Sequence, residues 1–134
     1  MAKLPRSEKL ARLVRVQRQL ENMAQADLAS TTRARAEIQR SLDVTVEALG
    51  SLSPVHQIFT SLYATQIGRL TARDQHLATV QEIHEGRMRK ERAKGDRLDD
   101  HRKEALTDER READDNAIYD LIEQKTLLDR FDLP

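Results

Sequence analysis

Between Leu10 and Leu49 the large apolar residues Leu10, Leu13, Val16, Leu20, Met23, Leu28, Ile38, Leu42, Val46 and Leu49 follow one another at steps of three, four or their sums. This is the period of a helix with one apolar face. The pattern resumes after a short gap with Phe59, Leu62, Tyr63, Ile67, Leu70, Leu77, Val80, Ile83 and Met88. In the gap, Gly50 stands where a left-handed C-terminal cap would fall, and Ser53-Pro54 reads as an N-cap followed by proline at the first helical position. The pattern therefore predicts a helix over about 6–49, a turn at 50–53 and a second helix over about 54–130.

Two long amphipathic helices joined by so short a linker favour an all-α antiparallel coiled-coil hairpin, because only the other helix can cover each apolar stripe locally. Centring the turn near Leu52 places Leu49 by Val55, Leu42 by Leu62, Ile38 by Ile67, Leu28 by Leu77, Met23 by Val80, Leu20 by Ile83 and Val16 by Met88. In this register the second helix is the longer and overhangs the first. Its apolar content thins out through residues 86–116 and returns at Ile118, Leu121, Ile122, Leu128 and Phe131. Gly86 and Gly95 mark 86–95 as the stretch where a bend is expected, since glycine costs a helix about 1 kcal/mol relative to alanine.

Composition strengthens the helical reading. Of the 134 residues 34% are charged and only 3% are aromatic, with four glycines and three prolines, which leaves little bulk for a globular core and few breakers for turns. The absence of cysteine excludes a disulfide scaffold and a thiolate zinc site. No apolar run approaches the roughly 18 to 20 residues of a membrane span, and the opening "MAKLPRSEKLARL" lacks the features of a secretory signal. The expected location is cytoplasmic, or peripheral at the inner face of a bacterial membrane through a protein partner.

Net charge is zero but unevenly spread: residues 1–40 hold nine Lys/Arg against four acids, and residues 96–134 hold seven against thirteen. Lys3, Arg6, Lys9, Arg12, Arg15 and Arg18 recur every third residue, so they spiral around a helix and do not line one face. With so few aromatics for stacking, nucleic-acid binding is disfavoured.

Candidate chemistry is sparse. His76 and His84 are eight residues apart, and no pair of histidines has the spacing of a shared zinc. The acidic run Asp108 to Asn116 lacks the glycine-centred loop of a calcium site, and there is no phosphate cradle or nucleophile elbow. The expectation is a non-enzymatic protein with no catalytic, metal-binding or cofactor-binding residues. The stripe of Ile118, Leu121, Ile122, Leu128 and Phe131 carries the functional signal, either as a docking face for another protein or as a pairing surface within a homodimer or a folded-back tail.

The opening "KLARLVRVQRQLENMAQADLA" and the closing "DLIEQKTLLDRF" resemble the two ends of FliJ-type proteins, the small coiled-coil components of flagellar and related type III export systems. Leu10, Leu13, Leu20, Glu21 and Ala24 match the leucine-bearing first helix and the acidic, Ala-rich stretch after it. Glu123, Lys125, Leu128 and Asp129 match a late Glu-x-Lys pattern. The resemblance implies a stalk or chaperone-escort that docks on the export ATPase and contacts the export gate or substrate chaperones. It implies Leu10, Leu13, Leu20, Leu121, Glu123, Lys125 and Leu128 as partner-binding residues. The break at 50–54 departs from the family plan by making the second helix much longer than the first. The competing expectation is a structural or adaptor coiled coil that homodimerises and has no link to export.

Overall fold

The computed structural model describes residues 3–131, and every regular element among them is α-helical. Helix α1 spans Arg6–Leu49, α2 Pro54–Ile58 and α3 Thr60–Phe131. The helix expected from residue 54 thus starts as one short turn and is interrupted at Phe59 (φ −101°, ψ 16°) before α3 begins. α3 then runs through Gly86 and Gly95 without leaving helical structure.

The turn closes differently from the sequence expectation. No glycine among the described residues has positive φ, so Gly50 is not a left-handed cap. Instead α1 ends by tightening: the Gly50 N–H donates to Val46 O at 3.0 Å, and the Ser51 N–H reaches back three residues to Ala48 O at 3.2 Å. Ser53 is the N-cap of α2 in an extended conformation, but its side chain makes no capping bond. Its carbonyl accepts from the Gln57 N–H at 3.1 Å, and Pro54 begins the helix with its φ already fixed.

The chain divides into two compact units, one of residues 18–93 and one of residues 1–17 with 94–134. Within 18–93 the least exposed positions of α1 include Glu21, Ala24, Leu28, Thr31, Arg35, Ile38, Leu42 and Thr45. On α3 they include Tyr63, Ile67, Leu70, Asp74, Leu77, Gln81, His84, Met88 and Glu91. Both series alternate steps of three and four, the spacing of a coiled-coil seam. About half of these positions are polar, and at Arg35 and Asp74 an ion pair takes the place that leucines fill in an ordinary zipper. Arg35 donates to Asp74 from Nε at 3.0 Å and from Nη2 at 3.2 Å, and to Gln81 Oε1 from Nη1 at 2.9 Å. Arg92 Nε donates to Glu21 Oε1 at 3.0 Å while Arg18 Nη1 donates to Glu21 Oε2 at 2.9 Å, and Arg87 donates to Asp27 at 3.0 Å.

These contacts correct the seam and the register expected from apolar spacing. Leu13, Val16, Leu20, Met23 and Val46 are exposed, Val16 at 60%. They lie about a quarter turn around α1 from the buried series, which puts them on its flank. Asp27 meets Arg87 and Glu21 meets Arg92, whereas the expected register puts Leu28 by Leu77 and Leu20 by Ile83. The slip has a local cause. Residues 50–59, including the α2 turn, are spent between the two long helices, so α3 starts later than a tip at Leu52 assumes.

In the other unit Ser7, Gln17, Gly95 and Ala105 are buried, with Leu98 and Arg102 half-buried. Small side chains at Ser7, Gly95 and Ala105 are what a close approach of two helices requires. Glu109 accepts hydrogen bonds from both the backbone N–H of Ser7, at 2.9 Å, and its hydroxyl. The first turn of a helix leaves its N–H groups without intrahelical partners, so a carboxylate from α3 serves as the cap of α1.

Candidate partner-docking surface

Past Glu109, every described residue of α3 is exposed, from Arg110 to Phe131. This segment contains the apolar residues Ile118, Leu121, Ile122 and Leu128, with Leu121 at 64% and Leu128 at 66% exposure, and also Tyr119, Leu127 and Phe131. It is helical because its composition favours helix: Ala, Leu, Ile, Glu, Gln, Asp, Lys and Arg dominate, and neither glycine nor proline occurs between Asp96 and Phe131. The stripe does not continue the seam. At helical spacing the mean direction of Ile118, Leu121, Ile122 and Leu128 lies roughly 150° around the axis from Arg102, Ala105 and Glu109, whereas Tyr119, Leu127 and Phe131 lie closer to the seam side. The seam positions extrapolate instead to Glu112, Asn116, Tyr119, Glu123 and Thr126, of which Tyr119 alone is a large apolar side chain. A helix that only needed to extend its own hairpin would carry its apolar residues on the seam side alone.

The surface of this arm is relief without enclosure. Gln124, Leu127, Leu128 and Phe131 line a shallow depression of about 320 Å³ formed by successive turns of the same helix. The other depressions are open grooves, one lined by Lys103, Glu104, Thr107 and Asp108 and another by Arg40, Ser41, Val44, Thr45 and Gln66. Among the described residues no three His, Asp or Glu side chains converge in a way that could hold a metal ion. His56 Nδ1 and Tyr63 Oη lie 2.8 Å apart, and His101 Nδ1 lies 3.7 Å from Glu104. No helix among the described residues is long and apolar enough to cross a membrane.

The residues expected to bind partners do not form one cluster. Leu10 is half-buried, and Leu13 is exposed at 51%. Both share a compact unit with Leu121, Glu123, Lys125 and Leu128, all of them exposed. Yet Ser7 is placed at Glu109, and Leu121 lies about 18 Å further along α3 at 1.5 Å per residue. The leucines of α1 and the C-terminal stripe are therefore separate surfaces. Leu20 belongs to the other unit and is 38% exposed.

The ionic groups of the seams are the features that apolar spacing cannot find. Hydrogen bonds from Arg92 and then Arg18 hold the Glu21 carboxyl below its ordinary value of 4.5, against a partial opposing effect of burial. Arg35 lowers Asp74 in the same way, and Asp74 in turn raises Arg35. The Ser7 hydroxyl and then its N–H lower Glu109, while Arg102 and Lys103 lower Asp99. A polar series read alongside the apolar one would have exposed them: Glu21, Thr31, Arg35 and Thr45 keep steps that are sums of three and four.

No protein-family model matches the chain, and neither a curated protein nor a solved structure matches it.

Proposed function

We propose that this protein is a non-enzymatic antiparallel coiled-coil hairpin whose C-terminal arm docks on a partner protein. On the sequence resemblance to FliJ-type proteins, it acts as a stalk or chaperone-escort that engages the ATPase of a flagellar or related type III export apparatus. The single observation that carries the docking role is the run of exposed apolar residues over 118–128, of which Ile118, Leu121, Ile122 and Leu128 share a face turned away from the seam that α1 occupies. Isolated exposed leucines need no explanation, but a repeated stripe on one face of a helix is the pattern of a helix that lies in a groove. The antiparallel reading is supported by the order of the ion pairs, in which Arg35, Asp27 and Glu21 meet Asp74, Arg87 and Arg92.

The test combines binding with shape. Leu121→Asp and Leu128→Asp are expected to abolish binding to the export ATPase of the source cell while leaving far-UV helicity and Tm nearly unchanged. Deletion of residues 117–134 is expected to impair motility or secretion at normal protein abundance. If the same substitutions instead convert a dimer to a monomer and lower a concentration-dependent Tm, the stripe is a homodimer contact. The adaptor reading then replaces the export reading.

A further inference from the structure

Two exposed helix faces of the chain have the same spacing and opposite charge. On α1, Leu13, Val16, Leu20 and Met23 follow at steps of three, four and three, and on α3 Ile118, Leu121, Lys125 and Leu128 do the same. All eight side chains are exposed. Around the first face the charge is positive: residues 3–18 hold Lys3, Arg6, Lys9, Arg12, Arg15 and Arg18 against Glu8 alone. Around the second it is negative: residues 112–131 hold six Asp or Glu against Lys125 and Arg130. Lys9 and Arg12 beside the first face, and Asp114 and Asp115 at the head of the second, form no ion pair with any described residue. One such surface needs no explanation, but two of opposite sign and equal spacing are complementary to each other.

The two faces cannot meet within one chain. Ser7 is held at Glu109, and α3 runs on from there to Phe131 as unbroken helix, so the arm leaves its own α1 behind. We infer that the C-terminal arm of one copy rests on the α1 face of a second copy until the partner protein takes it, a step that depends on the reading of the arm as a docking segment.

The pairing is parallel. Setting Leu13 by Ile118 also sets Val16 by Leu121 and Met23 by Leu128, and brings Asp114 level with Lys9. An antiparallel pairing of the same residues would set Asp114 against Asp27, and like charges repel. Lys125 falls opposite Leu20. A lysine at a single core position fixes register at a cost in stability, which suits a contact that must yield to a partner. In a dimer the arms are exchanged, so the contact forms twice about a two-fold axis.

Sedimentation equilibrium of the full chain is expected to show a dimer at low salt that weakens at least about tenfold in about 0.5 M salt, where screening acts beyond roughly 4 Å. In that salt Tm should not depend on protein concentration, which separates arm exchange from a permanent homodimer. Lys9→Glu with Arg12→Glu should weaken the dimer at least about tenfold at unchanged far-UV helicity, and so should Asp114→Lys with Asp115→Lys. All four changes in one chain should restore it. The first pair leaves the apolar stripe intact, so binding to the export ATPase should be retained, and that ATPase should dissociate the parent dimer. A parent chain that is monomeric at every concentration overturns the inference and leaves the docking reading standing. So does a dimer that ignores Lys9→Glu with Arg12→Glu, or one that the four changes together fail to restore. A dimer that responds to these charges but ignores the ATPase supports arm exchange and overturns the docking reading on which its release depends.

Discussion

Arg35 grips Asp74 with two parallel hydrogen bonds, Nε to Oδ1 at 3.0 Å and Nη2 to Oδ2 at 3.2 Å, at seam positions where a leucine zipper would place apolar side chains. The third donor of the same guanidinium goes to Gln81. The fork geometry fixes which residues of α3 lie beside Arg35, so the pair sets register as well as adding attraction. A double-mutant cycle on Arg35→Ala and Asp74→Ala should therefore give a coupling clearly different from zero in urea unfolding. Arg35→Lys should not restore the parent Tm, because an ammonium cannot make the paired bonds. Additive effects of the two substitutions would remove the pair from any role in register.

Burial distinguishes the seam from the flank of α1. Ile38 is buried while Met23 and Val16 are exposed, although all three belong to the same apolar series in sequence. Ile38→Ala is expected to cost about 2 to 4 kcal/mol, and Met23→Ala or Val16→Ala no more than about 0.5 kcal/mol, by denaturant unfolding. Equal costs would place Met23 and Val16 on the seam.

Acid should loosen both units. Glu21, Asp74 and Glu109 each have a folded-state pKa below the ordinary 4.5 or 3.8 of an unfolded carboxyl. At low pH the unfolded chain then binds more protons than the folded one, so stability falls as pH falls. The contribution is fully present above about pH 5 and is lost progressively below about pH 4.5. Glu109→Gln should flatten this decline in a Tm against pH series because it removes the carboxylate, and Ser7→Ala should flatten it less, because the backbone N–H of residue 7 still donates to Glu109. A Tm independent of pH between about 3 and 6 would contradict the ionic seam.

Two glycines offer stabilising substitutions. A Cβ built on Gly68 or Gly86 meets nothing within 4 Å, and both residues lie inside α3. Gly68→Ala and Gly86→Ala should each add about 0.5 to 1 kcal/mol, since alanine lowers the entropy cost of helix formation and nothing must move to admit it. A loss of stability at either site would mean that glycine there serves a contact beyond the single chain.

The helices themselves, the break after Leu49 and the apolar stripe at 118–131 are all legible in residue spacing, because helix formation and helix ends depend on near neighbours in sequence. Sequence also fixed the absence of charge over 48–68, which needs no coordinates to see. What spacing could not decide is which stripe of α1 is covered. Leu13, Val16, Leu20 and Met23 keep the same three-four steps as Gln17, Glu21, Ala24 and Leu28, so both are admissible seams for an isolated helix. Counting apolar residues selects the first. Packing selects the second, because Arg35 and Glu21 find charged partners, Asp74 and Arg92, on α3, and the small residues Ser7, Ala24, Gly95 and Ala105 permit close approach. Hydrogen-bond satisfaction across helices joins residues as distant as Ser7 and Glu109, and no local pattern within either segment encodes that pairing. Periodicity in one helix reports a face, whereas the choice among faces belongs to the partner that covers it.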